Sequence, residues 1–146
     1  PNHAYELTMV CEHRRAWFDD PCNARVIAAL FPQLDAQGLS HSLAWVVMPD
    51  PVHWLFQLGD RPLAYVAQRF KSRSALMLNR MHLRNGRIWQ TGYYDHCLRS
   101  DISLRRHAFY VMETQSGADL PSELGNTRTH GVDGRWKTIR GRYRPL

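Results

Sequence analysis

Nowhere does this 146-residue chain hold an apolar run approaching the roughly 20 residues that cross a bilayer. It also lacks a charged-then-apolar N-terminal segment of the kind that directs secretion. The chain begins at Pro1, as expected if an initiator Met had been removed, and a cytoplasmic protein with no membrane partner is the default expectation. Cysteine is scarce. Cys11, Cys22 and Cys97 form no CxxC pair and cannot all pair with one another, which argues against a zinc site or a disulfide framework. Reduced thiols in a reducing compartment are expected instead. No internal repeat is visible.

What is present suits one compact domain with its own core: 44% hydrophobic and 11% aromatic residues. A net charge of +6 and a pI near 9.7 point to an anionic partner, most often nucleic acid. The excess is concentrated near the end. After Gly125, the six cations Arg128, Arg135, Lys137, Arg140, Arg142 and Arg144 face one anion, Asp133, a local net of +5. The body is therefore close to neutral overall, and charge alone is a weak argument for DNA.

Tyr5 to Val10 reads as a first strand. Asp20-Pro21 is a helix start, and Val26, Ile27, Leu30, Phe31 and Leu34 follow at helical spacing. Pro32 falls inside that pattern and should kink or break it, with Gly38 as the stop. Leu43 to Met48 and Val52 to Leu58 read as strands joined by a turn at Pro49-Asp50-Pro51. Leu63, Val66, Ala67, Phe70, Ser74, Met77 and Leu78 share one helical face, opposite Gln68, Arg69, Lys71, Ser72 and Arg73. Asn85-Gly86 is a turn, Arg87 to Tyr94 a short aromatic segment, and a last helix runs from Ser100 or Asp101 to about Glu113. This order predicts an α+β, ferredoxin-like antiparallel sheet with helices packed on it. Residues 1–114 would form that domain. Residues 115–146, rich in Gly, Ser, Asn, Thr and Arg, would be a basic, disordered tail.

The most informative stretch is Trp45-Val46-Val47-Met48-Pro49-Asp50-Pro51-Val52-His53-Trp54-Leu55-Phe56. Strand alternation puts residues 51, 53, 55 and 57 on one face and Val52, Trp54, Phe56 and Leu58 on the other. A lone histidine in a strand is more often structural than functional.

From Ala44 to Leu58 the sequence resembles a conserved block of the REP-associated tyrosine transposases, with Pro51 where the first histidine of a His-hydrophobic-His motif belongs. Phe70-Lys71-Ser72, Leu78-Asn79-Arg80, Trp89 to His96, and Leu98-Arg99 resemble further blocks of that family in order. Tyr5 to Phe18 is similar to its opening strand and RRxxF turn. The likeness spans roughly residues 4 to 114.

The resemblance implies a single-tyrosine transposase of the IS200-like kind, acting on single-stranded or hairpin DNA as a monomer or homodimer. It places the nucleophile at Tyr110, within Tyr110-Val111-Met112-Glu113-Thr114. Helical spacing agrees, because Tyr110 shares a side with Ser103, Arg106, His107 and Thr114, away from the apolar stripe of Leu104, Ala108, Val111 and Met112. The implied cofactor is Mg2+ or Mn2+, polarising the scissile phosphate. Its implied ligands are His53, the position held by Pro51, and the position held by Thr114. Two of those three places are thus poorly filled, and cleavage is expected to be impaired. His41, His96 or Asp50 could substitute.

Tyr93 and Tyr94 are rival nucleophiles by residue type. Candidate DNA contacts are Arg69, Lys71 and Arg73 on the second long helix, Trp89, Gln90, Tyr94 and Arg99 around the aromatic segment, and Arg106 beside Tyr110. A hairpin-binding protein that no longer cuts is the alternative, and an unrelated RNA-binding domain of the same architecture is a third reading. The loss of likeness after Thr114 would also fit a shifted reading frame.

Overall fold

The computed structural model describes residues 3–98, 129–132 and 136–140. The element order is β1 (Ala4–Met9), α1 (Pro21–Ala36), β2 (Ser40–Val47), β3 (Val52–Leu58), α2 (Leu63–Met81) and β4 (Tyr94–Leu98). Two short strands follow, β5 (Thr129–Val132) and β6 (Trp136–Arg140). The sheet runs β4-β1-β3-β2-β6-β5 and every pairing is antiparallel. The first four strands and two helices thus form the β-α-β-β-α-β arrangement of a ferredoxin-like fold.

Local chemistry explains the element ends. Asp20 accepts a hydrogen bond from the Cys22 N–H at 2.9 Å and Pro21 supplies a preset φ, so α1 starts there. Gly38, at φ +72, adopts the left-handed conformation that ends it. Pro32 does not break α1. Its side chain is exposed, so the carbonyl it leaves unbonded lies on the outer side, while Ile27, Leu30, Phe31 and Leu34 hold the inner face. Packing outweighs the lost bond.

Both helices cover one face of the sheet. Phe31 stacks on Trp45 at 4.7 Å and meets Trp54 and Phe70 at 5.3 and 5.2 Å. Leu7, Met9, Val47, Val52, Phe56, Ile27, Leu34, Val66 and Leu78 complete this core. Each fully buried large side chain contributes about 1.5–3 kcal/mol relative to exposure. The Trp54 indole N–H donates to Ser42 Oγ at 2.9 Å, and the Ser42 hydroxyl in turn donates to Asp35. Asp35 also accepts from the Ser40 hydroxyl at 2.6 Å and the Ser42 N–H, which locks α1 onto β2.

The opposite face carries a second cluster, Ala4, Leu43, Ala44, Val46, Leu55 and Leu98, to which neither α1 nor α2 contributes. Beyond β2, the β5–β6 hairpin pairs Val46 with Arg140 and Val47 with Ile139. That pairing covers the Val46–Val47 end of the edge that β2 would otherwise expose.

Candidate functional site

The strand register fixes which residues surround His53. β1 pairs with β3 so that Thr8 lies opposite His53 and Glu6 opposite Leu55. β4 pairs on the other side, with Tyr94 opposite Thr8 and His96 opposite Glu6. Alternation then puts His53, Thr8, Glu6, Tyr94 and His96 on the face away from α1 and α2, while Val52, Trp54 and Phe56 enter the helix-covered core. This is the division expected from the sequence.

His53 is half-buried, and its Nδ1 lies 3.0 Å from Thr8 Oγ1, a hydrogen bond that fixes the ring. Burial holds its pKa below the ordinary imidazole value, with the Glu6 carboxylate pulling the other way. Neutral imidazole with one nitrogen held by a neighbour and the other available is the form that ligates a metal or accepts a proton. Thr8 and Glu6 were not picked out from sequence. The alternation of Leu7 and Met9 inward with Glu6 and Thr8 outward is the signal that could have found them.

Among the described residues the remaining donors do not assemble a metal centre. Pro51 precedes β3 and offers no donor atom. Asp50 is engaged, accepting from the Cys11 N–H at 2.8 Å through Oδ1 and forming an ion pair with Arg14 at 2.5 Å through Oδ2. That ion pair lacks hydrogen-bond alignment, but its short separation still neutralises the carboxylate. His41 pairs with Gln57, two same-face positions along β3 from His53, or about 13 Å at the rise of a strand. His96 lies two strands away, in the next row. Among the described residues no group of three His, Cys, Asp or Glu side chains could hold a metal ion. A single imidazole does not fit the six-oxygen preference of Mg2+ or Mn2+.

The other nominated residues divide. Trp89 is buried, donates its indole N–H to Ser74 Oγ at 2.8 Å and packs against Phe18 and Phe70. It belongs to the core rather than to a stacking surface. Lys71 also turns inward, donating to the carbonyls of Gln90, at 2.8 Å, and Gly92. Burial lowers its pKa. It clamps the loop that leads into β4. Gln90 is partly buried there, with its N–H donating to the Val10 carbonyl.

Arg69 is exposed, Arg73 is partly so, and Tyr94 is 70% exposed. Tyr94 lies two strand spacings, roughly 10 Å, from His53 on the same face. Tyr93 packs against the helix-covered core, and burial, then Asp95, raises its pKa, which makes it a poorer nucleophile. Tyr110, Thr114, Arg99 and Arg106 lie outside the described residues.

One further signal was missed. The near-neutral body conceals a segregation: from Arg61 to Tyr94 there are seven cations, Arg61, Arg69, Lys71, Arg73, Arg80, Arg84 and Arg87, and no carboxylate. α2 and the loop after it therefore form a continuous basic segment.

The IS200-like transposase family model matches residues 1–113, and the chain belongs to that family. The fold is also that of solved structures. A REP-associated tyrosine transposase bound to a REP hairpin superposes with a TM-score of 0.63 at 19% identity, over 75% of this chain and 64% of that one. A candidate transposase from Deinococcus radiodurans R1 gives 0.59 at 21% identity, over 81% of this chain and 94% of that one. The chain thus spans less than two thirds of the first of these relatives. No curated protein matches it.

Proposed function

We propose that this protein recognises single-stranded DNA folded as a hairpin, and that its strand-cutting chemistry is impaired. The observation that carries the reading is the family match over residues 1–113, the span that contains His53 and Tyr110. The relative bound to a REP hairpin supports the substrate class. The cation-rich segment 61–94 supports an anionic partner of extended shape, with Arg69 and Arg73 meeting phosphates and Tyr94 offering a stacking surface.

In the ancestral reaction, the Tyr110 hydroxyl would attack a backbone phosphate. A bond forms between the phenolic oxygen and phosphorus, the bond to the 3′ oxygen breaks, and that oxygen leaves as a 3′-hydroxyl after taking a proton. A phenol has a reference pKa near 10, so the step needs help with its proton or with phosphate charge. His53, neutral and fixed by Thr8, is the described group suited to accept that proton. The family's divalent ion would supply phosphate polarisation, but Pro51 and the commitment of Asp50 leave it too few ligands. Binding without efficient cutting follows.

The test is affinity for hairpins with a single-stranded foot, measured beside the same stems with blunt ends and beside RNA hairpins of equal length. Preference for the footed DNA hairpin supports the reading. Tighter binding of RNA, with no affinity for DNA hairpins, would replace it with the RNA-binding alternative.

A further inference from the structure

Arg15, Ala16 and Trp17, in the turn between β1 and α1, form one wall of a recess of about 510 Å3. The C-terminal end of α2 forms the facing wall with His82 and Arg84, and the start of α1 closes it with Asp19, Asp20 and Asn23. We propose that this recess holds one unpaired nucleotide of single-stranded DNA, its phosphate on Arg15 and Arg84 and the N–H edge of its base toward Asp19. The proposal rests on the reading that the chain handles single-stranded DNA.

The cationic side is fixed in advance. The Arg15 and Arg84 guanidinium carbons lie 4.1 and 4.9 Å from the centre of the buried Trp17 ring. A guanidinium stacked on an aromatic face keeps its in-plane N–H groups available for an anion. Arg84 is further held by donating to Asn79 Oδ1 at 2.8 Å, and Asn79 donates to the Gly86 carbonyl at 3.0 Å. The His82 ring lies 5.6 Å from that of Trp17, and its Nε2 is 2.6 Å from Asn23 Oδ1. Asn23 in turn donates to the Trp17 carbonyl at 2.9 Å.

Backbone strain gathers at the same place. Among the described residues, the non-glycine positions with left-handed φ are His13 (+56), Arg14 (+53) and Leu83 (+49). The first two immediately precede Arg15, and Leu83 sits between His82 and Arg84 while its own side chain is 95% exposed. A costly conformation persists where its neighbours hold it, and such positions concentrate at ligand clamps. Here it turns the flanking polar side chains into the recess.

The lining also defines the ligand. Two guanidiniums face two carboxylates, so a bare anion gains little net charge attraction. Both carboxylates are exposed, but Asp20 already caps α1 by accepting from the Cys22 N–H. A ligand with both an anionic group and N–H donors satisfies both walls, and a nucleotide is of that class. In a duplex those N–H groups are paired, so an unpaired base is required. The volume lies within the usual range of small-molecule sites.

The test is binding of a mixed-sequence DNA tetranucleotide by titration calorimetry, with mononucleotides and inorganic phosphate as competitors. Arg15→Ala and Arg84→Gln should each weaken tetranucleotide binding about tenfold, the loss of one charge-assisted contact. Arg15 is exposed and its contact with the Trp17 ring contributes about 0.5–1 kcal/mol, so its variant should unfold within roughly 4 °C of the wild type. Asp19→Asn should change the order of preference among the four mononucleotides. Wild-type affinity in both arginine variants, inhibition by phosphate as strong as by nucleotides, or an unchanged base preference in Asp19→Asn would each overturn the proposal. If footed hairpins still bind in those cases, the functional reading stands without it; if no DNA binds at all, both fall.

Discussion

Replacing Lys71 by Met separates a structural cation from a DNA-binding one. Its ammonium donates to the Gln90 and Gly92 carbonyls, and it is half-buried. A hydrogen bond to a charged group contributes about 1.5–3 kcal/mol, so two give about 3–6 kcal/mol in gross terms. Returning an ammonium to water offsets part of that, consistent with the lowered pKa. The methionine stem keeps the packing of the aliphatic chain. A net destabilisation of about 2 kcal/mol is expected, or a fall in Tm of roughly 6 °C for a domain of this size. The assay is thermal and urea unfolding, paired with hairpin affinity as a function of salt. A phosphate contact would lower the magnitude of the log–log salt slope by about one. Lys71→Met should leave that slope unchanged, whereas Arg69→Ala should reduce it at unaltered Tm. An unchanged Tm in Lys71→Met together with a reduced slope would refute the structural assignment.

His53 makes stability depend on pH. Its folded-state pKa lies below the unfolded value near 6.5, so the unfolded chain binds the proton first on acidification. Stability should be constant above about pH 6.5 and fall below it until the folded-state pKa is passed; urea unfolding in chelator should show that slope flattened in His53→Asn. Asp35→Ala leaves the Ser40 and Ser42 hydroxyls and the Ser42 N–H without their shared acceptor and loosens the serine that receives the Trp54 N–H. A loss of about 3 kcal/mol in unfolding free energy is expected, and a loss under 1 kcal/mol would show that water replaces the carboxylate.

Periodicity carried the sequence reading where one face of an element is apolar and the other is not. Val52 to Leu58 emerges with its predicted limits, and the Asp20-Pro21 start and Gly38 stop of α1 are where their chemistry requires them. The pattern was less informative for Trp89 and Lys71. An aromatic in a short irregular segment has no period to show which way it faces, and a lysine on a helix's polar side can still bend its long stem toward nearby carbonyls. Of the two outcomes expected at Pro32, the break does not occur, because the packing of Phe31 and Leu34 outweighs the lost hydrogen bond. The recess beside Trp17 was invisible for a different reason: it joins residues 15–23 to residues 82–84, a meeting that only the docking of α1 against α2 creates. Net charge hid the basic segment because it summed over regions the fold keeps apart.

On the proposed function, Tyr110 is the nucleophile and Pro51 leaves the divalent ion with too few ligands for efficient cutting. Trapping of a covalent adduct on a footed hairpin, in manganese, measures it directly. Little adduct is expected from the wild-type chain, with a clear gain in Pro51→His and its disappearance when Tyr110→Phe is added. Rapid adduct formation by the wild-type chain, or an adduct that survives Tyr110→Phe and vanishes in Tyr94→Phe, would contradict it.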